Sequence, residues 1–143
     1  MRFWDASALI PLCLQERQSI ALKRLAQEDE SLAVWWGSSV ECLSAFARLR
    51  REAVLSETEE EQARVILRAL QGSVTEIEPT PAVRDQAGRV LRLHPLRAAD
   101  ALQLAAALVW CQGDPLQHGF VCLDQRLREA ARREGFTVFP NKM

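Results

Sequence analysis

The sequence predicts an α/β fold with a mostly parallel central sheet. Short runs rich in aromatic and β-branched residues alternate with amphipathic segments along the whole chain, which is the pattern of strands connected by helices. The chain has 143 residues, of which 48% are hydrophobic and 26% charged. A chain of this length buries a core without disulfides or metals, and we expect one domain over residues 1–143.

The first half of the chain is expected to form two strands and four helices. Arg2–Trp4 predicts the first strand, and Leu32–Trp36, which ends before a Gly-Ser pair, predicts the second. Ser56-Glu-Thr-Glu59 has the spacing of a capping box and starts the fourth helix. The other helices, predicted from the spacing of apolar residues, are Ser7–Leu14, Gln18–Gln27 and Ser39 to about Leu55.

The second half is expected to contribute three strands and three helices. Ser73–Ile77 predicts a short strand. Thr80-Pro81 combines an N-cap with proline at the first helical position, and the helix that follows runs to about Leu93, where His94-Pro95 ends it. The remaining predictions are an apolar helix, a strand, a helix ending before glycine and a last strand, over Ala99–Cys111, Gly119–Leu123, Gln125–Glu134 and Phe136–Phe139.

Composition excludes several classes of protein. The net charge of −1 identifies no partner. The four cysteines lie in apolar runs without CxxC spacing, so we expect buried free thiols in a reducing cytoplasm and no zinc site or disulfide framework. The N-terminus lacks the pattern of a signal peptide. The longest apolar stretch, residues 98–111, is interrupted by Asp100 and Gln103, so we expect no membrane span.

Four acidic residues stand where a predicted strand ends or a predicted helix begins. They are Asp5, Glu41, Asp100 and Asp124. Each taken singly is also explained as a helix cap, and Ser38-Ser-Val-Glu41 has the spacing of a capping box. Together they favour a shared site, because ligands bind beyond the carboxyl ends of parallel strands. Four acids at one edge repel each other, and Mg²⁺ or Mn²⁺, which prefer oxygen ligands, would remove that cost.

Three blocks of the sequence resemble the PIN-domain ribonucleases, especially the VapC toxins. The blocks are Asp5-Ala-Ser7-Ala-Leu, Leu96-Arg-Ala-Ala-Asp100-Ala-Leu-Gln-Leu-Ala-Ala-Ala-Leu, and Phe120-Val-Cys-Leu-Asp124-Gln-Arg-Leu-Arg-Glu-Ala-Ala. The resemblance covers the full length of the chain. It implies a PIN-like three-layer α/β/α fold and a metal-dependent endoribonuclease that cuts RNA phosphodiesters with water activated by Mg²⁺ or Mn²⁺.

The resemblance also assigns roles to individual residues. It implies that Asp5 and Asp100 bind the metal, that Asp124 binds it directly or through water, and that Glu41 orients water or a second cation. Ser7 matches the small hydroxyl residue that the family carries near the first acid. The chain departs from the family at two places: Cys122 stands where Ser or Thr is frequent, and Arg126 where a second acid or amide is frequent.

The expected partners are RNA, a second copy of the chain and a VapB-like antitoxin. Arg97, Arg126 and Arg48 are candidates for contacts with RNA phosphates, whereas Arg128 and two later arginines of its helix are expected on a solvated face. The resemblance implies a homodimer, and an antitoxin bound in a groove near the first two helices, whose short segments carry many apolar residues.

Three alternative functions remain open from the sequence. A non-catalytic PIN-like interaction module would be expected to lose one or more of the four acids. A phosphatase with an aspartyl-phosphate intermediate needs a second acid two residues after the nucleophile, where this chain has Ser7, and a lysine near the phosphoryl group. A receiver-like signalling domain also needs a lysine after a late strand, and neither of the two lysines follows one.

Overall fold

The computed structural model describes all 143 residues and contains five strands and seven α-helices. Every predicted strand and helix is present. In chain order they are β1 (Arg2–Trp4), α1 (Ala6–Cys13), α2 (Ser19–Glu28), β2 (Leu32–Trp35), α3 (Ser38–Arg51), α4 (Glu57–Gln71), β3 (Thr75–Ile77), α5 (Pro81–Leu93), α6 (Ala98–Trp110), β4 (Gly119–Val121), α7 (Gln125–Glu134) and β5 (Thr137–Phe139).

The five strands form one sheet in the order β3-β2-β1-β4-β5, and every neighbouring pair is parallel. The prediction of a mostly parallel sheet is confirmed, without the antiparallel edge strand that such sheets sometimes carry. From β1 the chain builds one side of the sheet through β2 and β3 and then crosses to the other side for β4 and β5. The point where the order reverses lies between β1 and β4, and this is where open parallel sheets bind ligands.

Two separate apolar cores lie on the two faces of the sheet. Alternate strand residues point to opposite faces, so Phe3 of β1 belongs to one core and its neighbour Trp4 to the other. The core around Phe3 is completed by α5, α6 and α7, and the core around Trp4 by α1 to α4. This arrangement is the three-layer α/β/α architecture that the resemblance implied.

The ends of some elements differ from the prediction. The third helix ends at Arg51 and not near Leu55, because Ala53 adopts a left-handed backbone conformation with φ of 60°. Trp36 lies outside β2 and is 50% exposed, whereas Trp35 is buried in the core of α5 to α7. The last strand begins at Thr137, since Phe136 joins the end of the preceding helix through its bond to the Ala131 carbonyl.

Arg128 is buried, which corrects the expectation of a solvated side chain. Only 2% of the residue is exposed, and its guanidinium donates hydrogen bonds to three main-chain carbonyls, those of Cys122 (2.7 Å), Phe139 (3.1 Å) and Pro140 (2.7 Å). Burial, with the charge of Arg132, lowers the pKa of Arg128. The side chain therefore joins the end of β4 to the end of β5, a role that helical periodicity does not reveal.

A second, partly buried polar cluster joins α5 to α7. Glu134 accepts hydrogen bonds from the Arg89 guanidinium (2.5 Å) and pairs with Nε2 of His94 (2.7 Å). Burial raises the pKa of Glu134, but the bonds and charges of Arg89 and His94 outweigh it and hold that pKa below its ordinary value. The loop that leads from His94 into α6 is thereby fixed to the rest of the fold.

The four cysteines are free and buried, as predicted. No helix of the fold combines the length and the apolar character that crossing a membrane requires.

Candidate active site

Asp5 directly follows β1 at the point where the strand order reverses. It is the N-cap of α1 and only 5% exposed. All its hydrogen bonds reach one oxygen: Oδ2 accepts from the Ser7 amide (3.1 Å), from the Ser7 hydroxyl and from the Cys122 thiol (3.4 Å). Burial raises the pKa of Asp5, the bonds from Ser7 and Cys122 lower it in part, and the charge of Asp100 raises it again. Oδ1 carries no hydrogen bond.

Ser7 joins Asp5 to the neighbouring strand. While its hydroxyl donates to Asp5, the same oxygen accepts a hydrogen bond from the main-chain amide of Leu123 (2.9 Å), just beyond β4. The position of the first acid is thus fixed to the end of β4, the strand that leads to the fourth acid. These two bonds are the contacts through which Ser7 would act in its predicted supporting role.

Glu41 lies in the first turn of α3, and its carboxylate is bound from the opposite layer. Gln103 of α6 donates from Nε2 to Glu41 Oε2, and the same amide nitrogen donates to the Ser38 hydroxyl (2.9 Å). Burial raises the pKa of Glu41 to about 7, with help from the charges of Asp5 and Asp100 and against the bond from Gln103. As in Asp5, the second carboxylate oxygen has no hydrogen-bond partner.

Asp100 lies in the first turn of the apolar helix α6, half-buried. Burial raises its pKa, as does the charge of Asp124, whereas the Arg97 amide and the charges of Arg97 and Arg126 lower it. The charges of Asp124 and of two of the three candidate arginines therefore act on Asp100. The apolar face behind it, which includes Ala101 and Leu104, is fully buried and holds the helix in place.

Asp124 caps α7 and is exposed. Its Oδ1 accepts a hydrogen bond from the amide of Leu127 (2.9 Å), and its other oxygen is free. Asp124 follows the end of β4 by three residues, and Asp5 directly follows the neighbouring strand β1. The two capping acids therefore flank the point where the strand order reverses.

Helix capping explains two of the four acids but not the other two. Asp5 and Asp124 are N-caps, and each uses one oxygen for that purpose. The predicted capping box of Glu41 is wrong, since Gly37 is the N-cap of α3 and the Ser38 side chain bonds to Gln103. Asp100 is not an N-cap either, because Arg97 holds that position. Helix capping therefore leaves each of the four acids with at least one carboxylate oxygen that makes no hydrogen bond.

The four acids are electrostatic neighbours at one edge of the sheet. The charge of Asp100 raises the pKa of Asp5, the charges of Asp5 and Asp100 raise the pKa of Glu41, and the charge of Asp124 raises the pKa of Asp100. No three acidic, histidine or cysteine side chains converge closely enough to share one cation in these positions. The donor set itself consists of carboxylate oxygens, which are the ligands that a hard divalent cation prefers.

Of the candidate arginines, two lie beside the acids and one does not. Arg97 and Arg126 are exposed and lower the pKa of Asp100, which places their charges near it. Arg48 is exposed in the last turn of α3, seven residues and about 10 Å along the helix axis from Glu41. Its guanidinium has no contact with the four acids.

A known ribonuclease aligns with this chain over its whole length. The chain is 31% identical to Ribonuclease VapC45 of Mycobacterium tuberculosis (strain CDC 1551 / Oshkosh) over 143 residues, which are 99% of this chain and 96% of that protein. The chain belongs to the VapC family of PIN-domain ribonucleases. Ribonuclease VapC49 of the strain ATCC 25618 / H37Rv gives the same identity and coverage. No family model matches the chain.

The fold is also found in solved structures of other proteins. PAE2754 from Pyrobaculum aerophilum superposes with a TM-score of 0.66 at 22% identity, over 96% of this chain and 87% of that one. At an identity of 22%, this structural likeness shows a shared fold only. The α/β/α architecture predicted from the sequence is therefore shared with proteins that have diverged strongly in sequence.

Within this VapC chain, Cys122 substitutes for the hydroxyl residue that the family often carries. Its thiol is buried and donates to Asp5 Oδ2 at 3.4 Å. Burial and the charge of Asp5 raise the pKa of Cys122, so the group stays a neutral thiol and remains a donor. The thiol thus keeps a weak hydrogen bond to Asp5, and it also donates to the Asp124 carbonyl at 3.6 Å.

Sequence reasoning missed one residue that contacts an acid, Gln103, and a second residue, Ser38, that bonds to it. Gln103 and Ser38 are both 1% exposed and bond to each other, and Gln103 also bonds to Glu41. The signal that could have found Gln103 is its spacing, since it lies three residues after Asp100 in an otherwise apolar helix and so shares its face. From the sequence alone, Ser38 could not be distinguished from a serine that caps a helix.

Proposed function

We propose that this VapC-family chain is an endoribonuclease that depends on Mg²⁺ or Mn²⁺ and that Asp5, Glu41, Asp100 and Asp124 form its active site. The observation that carries the proposal is that each acid keeps at least one carboxylate oxygen without a hydrogen bond, and that two of them, Asp5 and Asp124, flank the point where the strand order reverses. An RNA substrate is supported by the curated relative, which is named a ribonuclease. The fold neighbour VapC20 of M. tuberculosis, with a TM-score of 0.63 and 19% identity over 91% of this chain and 95% of that one, is named a sarcin-ricin loop cleaving toxin.

The acids divide into ligands and a water-handling group. Asp5 and Asp100 would hold the ion directly, and Asp124 would hold it directly or through water. A bound divalent ion supplies a water of lowered pKa and stabilises negative charge on a phosphoryl oxygen. Glu41, with a pKa raised to about 7 and a free Oε1, is suited to orient the attacking water and to take its proton, since a general base works best near the operating pH.

Two arginines give the acidic crevice affinity for RNA. Arg97 and Arg126 stand exposed beside Asp100, and guanidinium groups bind phosphates through two parallel hydrogen bonds. They would hold the phosphates that flank the bond to be cut, since the acids alone would repel the substrate. Arg48 would contact RNA further along the strand, beyond the reach of the cleavage site.

Removal of divalent ions tests this function. The purified protein is expected to cut single-stranded RNA in Mg²⁺, to lose all cleavage in EDTA and to regain it when Mg²⁺ or Mn²⁺ is added in excess. The measurement is gel analysis of an end-labelled RNA. Cleavage that continues in EDTA, or the absence of cleavage in every metal for a range of structured and unstructured RNAs, would contradict the proposal.

The chain is further proposed to be the toxin of a toxin–antitoxin pair. A groove with a cavity volume of about 340 Å³ lies between the end of α1, α2, the end of α3 and the first part of α4, and seven of its twelve lining residues are hydrophobic. Leu12, Leu49, Val54 and Ile66 contribute to its lining. This groove borders the first two helices, where the VapB-like antitoxin was expected, and a homodimer formed elsewhere on the surface would leave it accessible.

A further inference from the structure

Gln103 connects two helices that lie on opposite faces of the sheet. It belongs to α6, whose apolar side packs in the core with α5 and α7, whereas Ser38 and Glu41 belong to α3 in the other layer. The three side chains meet at the first turn of α3 and the second turn of α6. No other side-chain hydrogen bond joins α3 to α6.

The hydrogen bonds of Gln103 leave its amide a single orientation. The Ser38 hydroxyl donates to Oε1 (3.2 Å) and accepts from Nε2 (2.9 Å), which leaves the other hydrogen of Nε2 for Glu41 Oε2. A carboxylate can only accept hydrogen bonds, so the nitrogen must face it. The surrounding residues of α6 are alanine and leucine and offer the amide no other partner.

Glu41 would not keep its position without this donor. Its carboxylate is half-buried beside the negative charges of Asp5 and Asp100, and repulsion drives an unbound carboxylate toward solvent. Gln103 is the only protein group that donates to it. Because Gln103 lies one helical turn after Asp100, the same rigid helix sets the positions of both acids relative to each other.

We propose that Gln103 is the positioning residue for Glu41, presenting the free Oε1 of Glu41 to the metal and its water at a fixed distance from Asp100. Ser38 assists by orienting the amide. The proposal rests on the proposed function, since it needs a cation held by Asp5 and Asp100. It assigns no contact with RNA or with the reacting atoms to Gln103 itself.

A double-mutant cycle on metal binding tests the proposal without RNA. Mn²⁺ binding is measured by isothermal titration calorimetry for the wild type, Gln103→Leu, Glu41→Gln and the double variant. Loss of a group that holds a metal-site residue weakens binding roughly tenfold. We expect each single variant to show this loss and the double variant to bind no more weakly than Glu41→Gln alone, because Gln103 acts only through Glu41.

Three further variants make the result unambiguous. Gln27→Leu changes an exposed glutamine of α2 and should bind Mn²⁺ as the wild type does. Ser38→Ala keeps Gln103 in the chain and should weaken Mn²⁺ binding less than Gln103→Leu does. In a protein that already carries Glu41→Gln, it should have no effect. If Gln103→Leu does not fold, Ser38→Ala takes its place in the test. Asp5→Asn should lose binding.

The outcomes separate this proposal from the proposed function. If Asp5→Asn binds Mn²⁺ as tightly as the wild type, the metal site itself is wrong. A second outcome is that Asp5→Asn loses binding while Gln103→Leu or Ser38→Ala still weakens Mn²⁺ binding to the same extent in a protein that already carries Glu41→Gln. That result would show that Gln103 does not act through Glu41. An unchanged affinity in both Gln103→Leu and Ser38→Ala overturns the proposal as well.

Discussion

Asp5→Asn is expected to reduce metal-dependent RNA cleavage at least about a hundredfold while the protein stays folded. A lost metal ligand removes several kcal/mol of stabilisation of the transition state, and each 1.4 kcal/mol is a factor of about ten in rate. Asparagine keeps the N-cap of α1, since its side-chain oxygen can still accept the Ser7 amide. The measurement is the rate of cleavage of a labelled RNA at saturating Mg²⁺.

The same substitution is expected to stabilise the metal-free protein at neutral pH. The pKa of Asp5 is raised by burial, and a carboxyl with a raised pKa contributes stability at low pH that is lost as pH rises through that pKa. Asparagine does not ionise, so the variant does not lose this stability as the pH rises. Between acid and neutral pH, its melting temperature should therefore fall less than that of the wild type. Thermal unfolding in EDTA across this range measures the difference.

Asp114→Asn is the control for both measurements. Asp114 is exposed in the loop after α6, and its carboxylate makes no hydrogen bond with the protein. This variant should cut RNA and unfold as the wild type does. Cleavage by Asp5→Asn at the wild-type rate would remove Asp5 from the active site.

Arg128→Met is expected to lower the free energy of unfolding by about 2–3 kcal/mol. The substitution keeps the buried alkyl chain but leaves the carbonyls of Cys122 and Pro140 without the guanidinium that now bonds to them, and a buried polar group without a partner costs about 1–3 kcal/mol. The residues after β5 should detach from the end of β4. Urea unfolding gives the stability, and amide hydrogen exchange at Cys122, whose amide donates to the Phe139 carbonyl, reports the detachment.

Arg132→Met provides the comparison for Arg128→Met. Arg132 is exposed on the same helix and pairs only with Glu129, also exposed, so its loss should change the stability by less than about 0.5 kcal/mol. Equal stabilities for the two methionine variants would show that the buried guanidinium does not hold the end of β5.

The fold could be predicted from the sequence because its signals are local. Alternation of apolar runs with helical spacing predicted all twelve strands and helices, and capping residues such as Ser56 and Thr80 marked helix starts that the structure confirms. The error at the end of α3 has a local cause that sequence does not show. The residues around Ala53 give no sign that it adopts a left-handed backbone conformation, which is unfavourable for alanine.

The site was harder to predict, because its details depend on contacts across the sheet. The positions of the four acids at strand ends and helix starts, and the resemblance, identified the site, but the bond that holds Glu41 comes from the opposite layer, through Gln103. Arg128 was assigned to a solvated helix face because charge and periodicity favour that interpretation. Its burial depends on carbonyls from two strand ends that are distant from each other in sequence.

The position of a bound cation is the most direct test of the central claim that the four acids form one metal site. Crystals grown with Mn²⁺ and measured near the manganese absorption edge would locate the ion by its anomalous scattering. We predict a peak in the crevice between β1 and β4, within bonding distance of Asp5 Oδ1 and of the Asp100 carboxylate. A peak elsewhere, or a crevice without manganese in a protein that cuts RNA under the same conditions, would contradict the claim.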